Sequence, residues 1–357
     1  MKTLDELLRD AMQMEGSDVF IVPFAPVSTK VYGKMAQVTE EKVTPEEIRV
    51  LIDRAYELAG RDKKMLDQDG DDDFSFAIRD VSRFRCNVYR QRGTVAAVLR
   101  VVAFGLPDPQ KRHIPDLVMK LADLRGGMVL VTGPAGTGKS TTLACILDRV
   151  NQTRSGHIIT IEDPIEFLHP HKKCLVSQRE VPEDAASFAR AVRAALREAP
   201  DVIMLGEMRD IDTISTAITA AETGHLLIST LHTLGAAKTI DRVIDAFPAE
   251  QQNQVRTQLS MVLKAVVSQR LLTGTDGVLY PVFEVMTVNP AIQNLIREGK
   301  THQIDNAISG AGSEMLSMDS ELARLAREGR ITKEMARAYA LHPETLERQM
   351  RFGTMGR

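Results

Sequence analysis

The chain has no tryptophan, and aromatic residues make up only 4% of its 357 positions. That scarcity leaves no platform on which the bases of a single strand could stack. Neither sign of charge dominates: 45 Lys and Arg against 48 Asp and Glu give a formal net charge of −3. A basic footprint for a polyanion or an anionic membrane surface is therefore missing too. Cys86, Cys145 and Cys174 stand far apart with no paired spacing, which excludes a disulfide framework and a zinc knuckle. No apolar run is long enough to cross a bilayer. The first ten residues mix charge with Leu4, Leu7 and Leu8, an amphipathic helix and not the continuous apolar region of a signal peptide. These absences predict a cytoplasmic protein that binds no nucleic acid and does not insert directly into a membrane.

What is present is ordinary for a globular chain, with 43% apolar and 26% charged residues, and the length suits two domains. Thr44-Pro45-Glu46-Glu47 reads as a capping box with Pro at the first helical position. The helix it opens carries Ile48, Leu51, Ile52, Ala55 and Leu58 on one face and ends at Gly60. An acidic cluster at 69–73 gives way to alternating stretches at 74–78, 83–89 and 95–102, which predict an antiparallel sheet. Gly105, Pro107, Pro109 and Pro115 mark a linker over 105–115, between domains at 1–104 and 116–357. Beyond it the pattern changes. Short, fully apolar runs at 128–131, 158–161, 202–205 and 226–228 alternate with helical stretches, the signature of a parallel sheet covered on both faces. After residue 250 the pattern reads as almost wholly helical, and Met315, Met318, Leu322, Leu325 and Ala326 read as core packing.

Gly133-Pro134-Ala135-Gly136-Thr137-Gly138-Lys139-Ser140 matches G-x-x-x-x-G-K-[ST] in full, with a strand before it and a helix carrying Leu143, Ile146 and Leu147 after it. The glycines let backbone N–H groups converge on phosphate oxygens at a helix N-terminus. Lys139 is expected to reach the β- and γ-phosphates, the Ser140 hydroxyl to ligate Mg²⁺, and Thr141 to complete the nucleotide-binding set. A glycine-rich turn that binds nothing is the competing reading, and the flanking strand and helix argue against it.

The run 202–205 ends in Gly206-Glu207. Ligands sit at the C-terminal strand ends of a parallel sheet, so Glu207 is the candidate base for the attacking water and a candidate metal ligand. Glu162, Asp163 and Glu166 follow the middle strand, 158–161, with three carboxylates in five positions. Such density can hold Mg²⁺ through waters and position a nucleophile, although a solvated acidic turn has the same composition. His225 and His232 bracket the last strand, 226–228, and His232 stands at the end where a γ-phosphate could be sensed. Arg83, Arg85, Arg90 and Arg92 either form a solvated basic strand face or reach a neighbouring subunit's phosphates.

Together these motifs resemble the PilT family of type IV pilus retraction motors, within the wider secretion and traffic ATPases. The carriers are the Walker A loop, an aspartate box in Thr160-Ile161-Glu162-Asp163-Pro164-Ile165-Glu166-Phe167 and a Walker B element in Gly206-Glu207-Met208-Arg209-Asp210. A histidine box runs from Ala221-Glu222-Thr223-Gly224-His225 to His232-Thr233. The most discriminating carrier is Pro290-Ala291-Ile292-Gln293-Asn294-Leu295-Ile296-Arg297-Glu298-Gly299-Lys300, similar to a C-terminal motif of retraction-type members. The resemblance implies a PAS-like α/β domain joined to a RecA-like P-loop domain with a helical C-terminal region. It further implies a homo-hexameric ring with nucleotide at the subunit boundaries. The implied activity is hydrolysis of ATP, with Mg²⁺, to power pilus retraction and disassembly in twitching motility. The implied partners are an inner-membrane pilus platform protein and the pilin machinery, which would hold the ring at the inner face of the cell membrane. An accessory or extension-type pilus or type II secretion ATPase is the alternative. A RecA-like nucleic-acid motor fits the acidic charge less well, and a nucleotide-binding regulator without turnover fits the intact Lys139, Ser140, Glu166 and Glu207 less well.

Overall fold

A computed structural model describes residues 2–79, 81–102 and 105–352; residues 103 and 104, at the expected domain boundary, lie outside it with 1, 80 and 353–357. The chain divides into two compact units, Met1–Gly105 with Glu166–Leu168, and Leu106–Ile165 with His169–Arg357.

In the first unit α1 (Leu4–Gln13) starts at a Thr3 capping box and buries Leu4, Leu7, Leu8 and Ala11. Then come β1 (Asp18–Ile21), β2 (Pro26–Val31), β3 (Lys34–Lys42), α2 (Pro45–Ala59), α3 (Lys64–Asp69), β4 (Asp71–Ile78), β5 (Ser82–Gln91) and β6 (Thr94–Val102). The capping box at Thr44 forms as expected, and Gly60 ends α2 at φ +62°, a left-handed conformation that favours glycine. The six strands form an antiparallel sheet in the order β3-β2-β1-β6-β5-β4. The acidic cluster does not precede the sheet, as the sequence suggests, but enters it. β4 begins at Asp71, and Asp72 is buried because Arg61 Nη2 donates to Oδ1 at 2.9 Å and the Tyr56 hydroxyl to Oδ2 at 3.2 Å.

The second unit opens with α4 (Asp116–Met119) and β7 (Gly127–Thr132), followed by α5 (Lys139–Thr153), β8 (Gly156–Glu162), β9 (Cys174–Glu180) and α6 (Phe188–Ala195). It continues through β10 (Val202–Leu205), α7 (Ile211–Glu222), β11 (Leu226–Leu231), α8 (Ala236–Asp245), α9 (Ala249–Val262), β12 (Leu263–Thr273) and β13 (Leu279–Thr287). It closes with α10 (Pro290–Arg297), α11 (Ile304–Gly310), α12 (Met318–Arg327), α13 (Lys333–Tyr339) and α14 (Pro343–Phe352). The sheet order is β13-β12-β7-β11-β10-β8-β9, parallel except for β13. Alternate strand residues feed two separate apolar clusters. Leu130, Ile161, Ile203 and Leu227 pack with α6 to α11, while Val129, Val131, Val202 and Ile228 pack with α4 and α5. The runs 128–131, 202–205 and 226–228 are therefore apolar throughout, as a doubly covered parallel sheet requires. Among the described residues no helix is long and apolar enough to cross a membrane.

Three expectations are corrected here. The region after 250 is not almost wholly helical, since β12 and β13 are the longest run of sheet in this unit. The apolar residues of β12 follow α9 with no Gly or Pro between, so periodicity offers no breakpoint there. The strand at 158–161 is not the middle one: β8 is next to the edge, and β9 pairs with it without an intervening helix. The strand between His225 and His232 is not the last but the central one.

Candidate functional site

The loop from β7 to α5 has Gly133, Gly136 and Gly138 at φ +145°, +76° and +87°. A Cβ on Gly133 would lie 2.2 Å from the carbonyl oxygen of Gln269, so glycine is required for the loop to lie against β12. No side chain caps α5, so the first-turn N–H groups and the positive end of its dipole open onto the loop. Lys139 is buried, and its Nζ donates to Gly133 O at 2.8 Å and Pro134 O at 2.9 Å. Thr137 Oγ1 donates to Pro134 O at 2.9 Å. Pro134 and Ala135 are exposed at the tip, while Ser140 and Thr141 are half-buried on the first turn of α5.

Gln269 is a residue that sequence reasoning missed. Its Nε2 donates to Thr137 O at 2.5 Å and its Oε1 accepts from Thr142 Oγ1 at 2.8 Å, which clamps the loop to β12. The available signal was Asp276-Gly277, a turn dipeptide that marks residues 263–287 as a hairpin. Beside the loop a groove of about 310 Å³ runs past Thr141 and Gln269 to Arg112, His113, Leu279 and Phe283. The rings of His113 and Tyr280 stack at 5.7 Å.

The next chemistry lies at the same end of the sheet. Gly206 N donates to Ile161 O at 2.8 Å, and Thr230 Oγ1 donates to Gly206 O at 2.6 Å, so the ends of β8, β10 and β11 are stitched together. Glu207 follows β10 with its side chain 12% exposed, and Arg209 Nη2 lies 2.5 Å from Oε1. Its Oε2 is 3.3 Å from His232 Nε2, an ion-pair distance without hydrogen-bond geometry. The structure thus brings together Glu207 and His232, the latter 55% exposed. His225 is at the other end of β11, with Nδ1 3.0 Å from Thr223 Oγ1.

Glu162 is buried at the end of β8, accepting from Thr160 Oγ1 at 2.7 Å and Gln178 Nε2 at 3.1 Å. Asp163 beside it is exposed. Glu166 is exposed as well, in the short segment that groups with the first unit. Arg83 and Arg85 are half-buried on one face of β5, where Arg85 Nε donates to both oxygens of Asp73 at 3.2 Å. Arg90 Nη2 pairs with Asp67 at 2.7 Å, and Arg92 occupies the β5–β6 turn at φ +46°.

Buried polar atoms at these strand ends test whether Mg²⁺ fits. Thr132 Oγ1, Ser229 Oγ and Glu207 Oε2 are buried without a hydrogen-bond partner, an arrangement that a hydrated cation would satisfy. Ser140 and Glu207 supply the oxygen donors such an ion takes, and the residues fit it. Among the described residues no group of three or more His, Cys, Asp or Glu could hold a metal alone.

In the C-terminal motif, Asn289 Oδ1 accepts from Ile292 N at 3.0 Å and caps α10. Ile292 and Ile296 are buried and Leu295 half-buried, while Asn294, Arg297 and Lys300 are exposed.

The family described as type II/IV secretion system protein matches residues 1–351. A twitching motility protein of Neisseria gonorrhoeae is 43% identical over 342 residues, covering 95% of this chain and 91% of its own. The type IV pilus retraction ATPase PilT of Pseudomonas aeruginosa is 43% identical over 343 residues, covering 96% and 99%. A crystal structure of the pilus retraction motor PilT with bound ADP superposes with a TM-score of 0.89 at 44% identity, covering 98% of this chain and all of that one.

Proposed function

The chain belongs to the type II/IV secretion system protein family, and from that premise we infer that it is an ATPase whose hydrolysis of ATP powers type IV pilus retraction. The observation that carries the reading is the phosphate loop with Lys139 at the same sheet end as the Glu207–His232 pair. Loop N–H groups and Lys139 bind the phosphates, Lys139 exchanging its two carbonyl acceptors for phosphate oxygens. Ser140 and Glu207 would hold Mg²⁺, which when bound neutralises charge on the β- and γ-phosphate oxygens. Glu207 takes the proton of the attacking water, and its enclosed position suits a base. Glu162 and Asp163 orient water at the end of β8, and Glu166 is the second carboxylate for water or metal. His232 reports the γ-phosphate through Glu207. The groove past His113 offers apolar walls for the base.

Retraction needs a ring, and six copies provide one in this reading. Arg83 and Arg85 then supply cationic charge to the neighbouring subunit's phosphates, a contribution worth roughly 10³-fold or more in comparable enzymes. The ring works against an inner-membrane platform protein and the pilin machinery at the inner face of the cell membrane. The test is a deletion strain complemented with the wild-type gene or with Glu207→Gln. Loss of twitching with surface pili retained, rescued only by the wild type, is expected. Loss of surface pili in the deletion strain would instead assign an extension role and overturn the reading.

A further inference from the structure

Glu284 on β13 is 3% exposed and is not part of the site described above. It stands opposite Ser268 in the β12–β13 register, and both side chains reach the start of α8. Ser268 Oγ accepts from Gly235 N–H at 2.8 Å, and Glu284 Oε1 accepts from Ala236 N–H at 2.9 Å. These are the N-cap and first helical residues, whose N–H groups have no acceptor within the helix. His232 lies three residues before Gly235 in the chain, and Thr233 Oγ1 is 2.8 Å from Thr239 Oγ1, which holds the loop against α8. The backbone N–H of Met318, the first residue of α12, also draws the Glu284 carboxyl down electrostatically. The next residue, Asp319, accepts from Leu341 N–H at 2.8 Å and His342 N–H at 2.9 Å, so α12 fastens the C-terminal arm. One carboxylate thus holds the start of α8 and feels the start of α12.

A carboxylate here is costly. Burial pushes the Glu284 carboxyl up to about 7, opposed by the Ala236 and Met318 N–H donors and reinforced by Asp305 and Asp319. Its neighbours Val282, Phe283 and Val285 fill the same strand with apolar side chains, so packing alone does not call for an acid.

We propose that Glu284, with Ser268, is a positioning residue for hydrolysis: it fixes the start of α8, and with it His232 beside Glu207. The role rests on the reading of Glu207 and His232 given above. Hydrogen exchange of the full-length protein tests it, with Glu284→Ala, Glu284→Gln and Ser268→Ala. In Glu284→Ala, exchange at Ala236 should rise about tenfold, the factor expected from losing one buried hydrogen bond. Ser268→Ala should raise it at Gly235 alone. Exchange in α5 and ADP affinity should stay within about twofold, and kcat should fall about tenfold at unchanged KM for ATP. Glu284→Gln, which keeps an acceptor oxygen, should recover most of both losses. Unchanged exchange at Gly235 and Ala236, or an equal rise in α5, overturns the proposal. His232→Ala separates the two ideas. Normal turnover in that variant removes His232 from hydrolysis, while the exchange pattern still decides what Glu284 holds.

Discussion

In the six-stranded sheet every strand runs against its neighbours, and on β5 polar side chains alternate with buried ones along the strand, as Arg83 and Arg85 do. In the seven-stranded sheet all strands but β13 run the same way, and the residues after β7, β8, β10 and β11 emerge at one end. Lys139, Glu207 and His232 are among those residues, and Glu162 is the last residue of β8. Place in the second sheet follows from distance along the strand, and place in the first from which face a residue takes. Substitutions at strand ends of the second unit should therefore act on chemistry, and substitutions on strand faces of the first should act on stability or on a neighbour.

The largest effect tests the strand ends. Glu207→Gln should bind ATP normally and lose turnover by about 10²-fold or more, because the amide keeps the shape without the basicity. Lys139→Ala should weaken binding itself. Nucleotide affinity and phosphate release measure both, and near-normal hydrolysis by the Glu207 variant would falsify its role and move it to Glu166. Next comes the first sheet. Asp72→Ala removes a buried acceptor from Arg61 and Tyr56 and should destabilise that unit by about 3 kcal/mol, read by urea unfolding, with ADP affinity unchanged. A matching loss of ADP affinity would break the contrast between the units.

Arg85→Ala removes a half-exposed ion pair with Asp73 and should cost less than about 1 kcal/mol of stability. Its ATPase activity should nevertheless fall, and mixing it with Lys139→Ala subunits should restore part of that activity through intact boundary sites. Concentration-independent activity from a monomer rules out the shared site. The smallest effect on hydrolysis is expected on α10, where Arg297 points away from the buried Ile292 and Ile296. Arg297→Ala should leave ATPase activity and assembly within about twofold, as surface changes do, while twitching fails. Parallel loss of both would give the helix a role in the site, and loss of neither would leave it as scaffold.

The sequence showed plainly those parts whose signal is local. The phosphate loop announces itself by glycine spacing and α2 by its capping box. Glu207 stands out as a carboxylate after an apolar strand. The parts it hid depend on partners distant in the chain. Gln269 lies on a strand that continues an apolar run straight from α9, and Glu284 on the partner strand, whose only local mark is the Asp276-Gly277 turn. Neither their bonds nor their face could be read. Asp72 reads only as one member of an acidic cluster, because Arg61 and Tyr56 meet it only in the folded unit. Carboxylates that bond to remote backbone or to remote cations carry no mark in the local pattern.

The self-directed hydrogen bonds of Lys139 bear on the speed of nucleotide capture. Its ammonium is spent on two carbonyls of its own loop, and the residue is only 9% exposed. A charge so enclosed projects little field into solution, and a chain with a net charge of −3 adds no long-range attraction for an anion. Encounter then begins at the backbone N–H groups, and commitment waits for the ammonium to exchange carbonyl for phosphate oxygen. The association rate should follow the tempo of that exchange, fall below the diffusion limit and vary little with ionic strength.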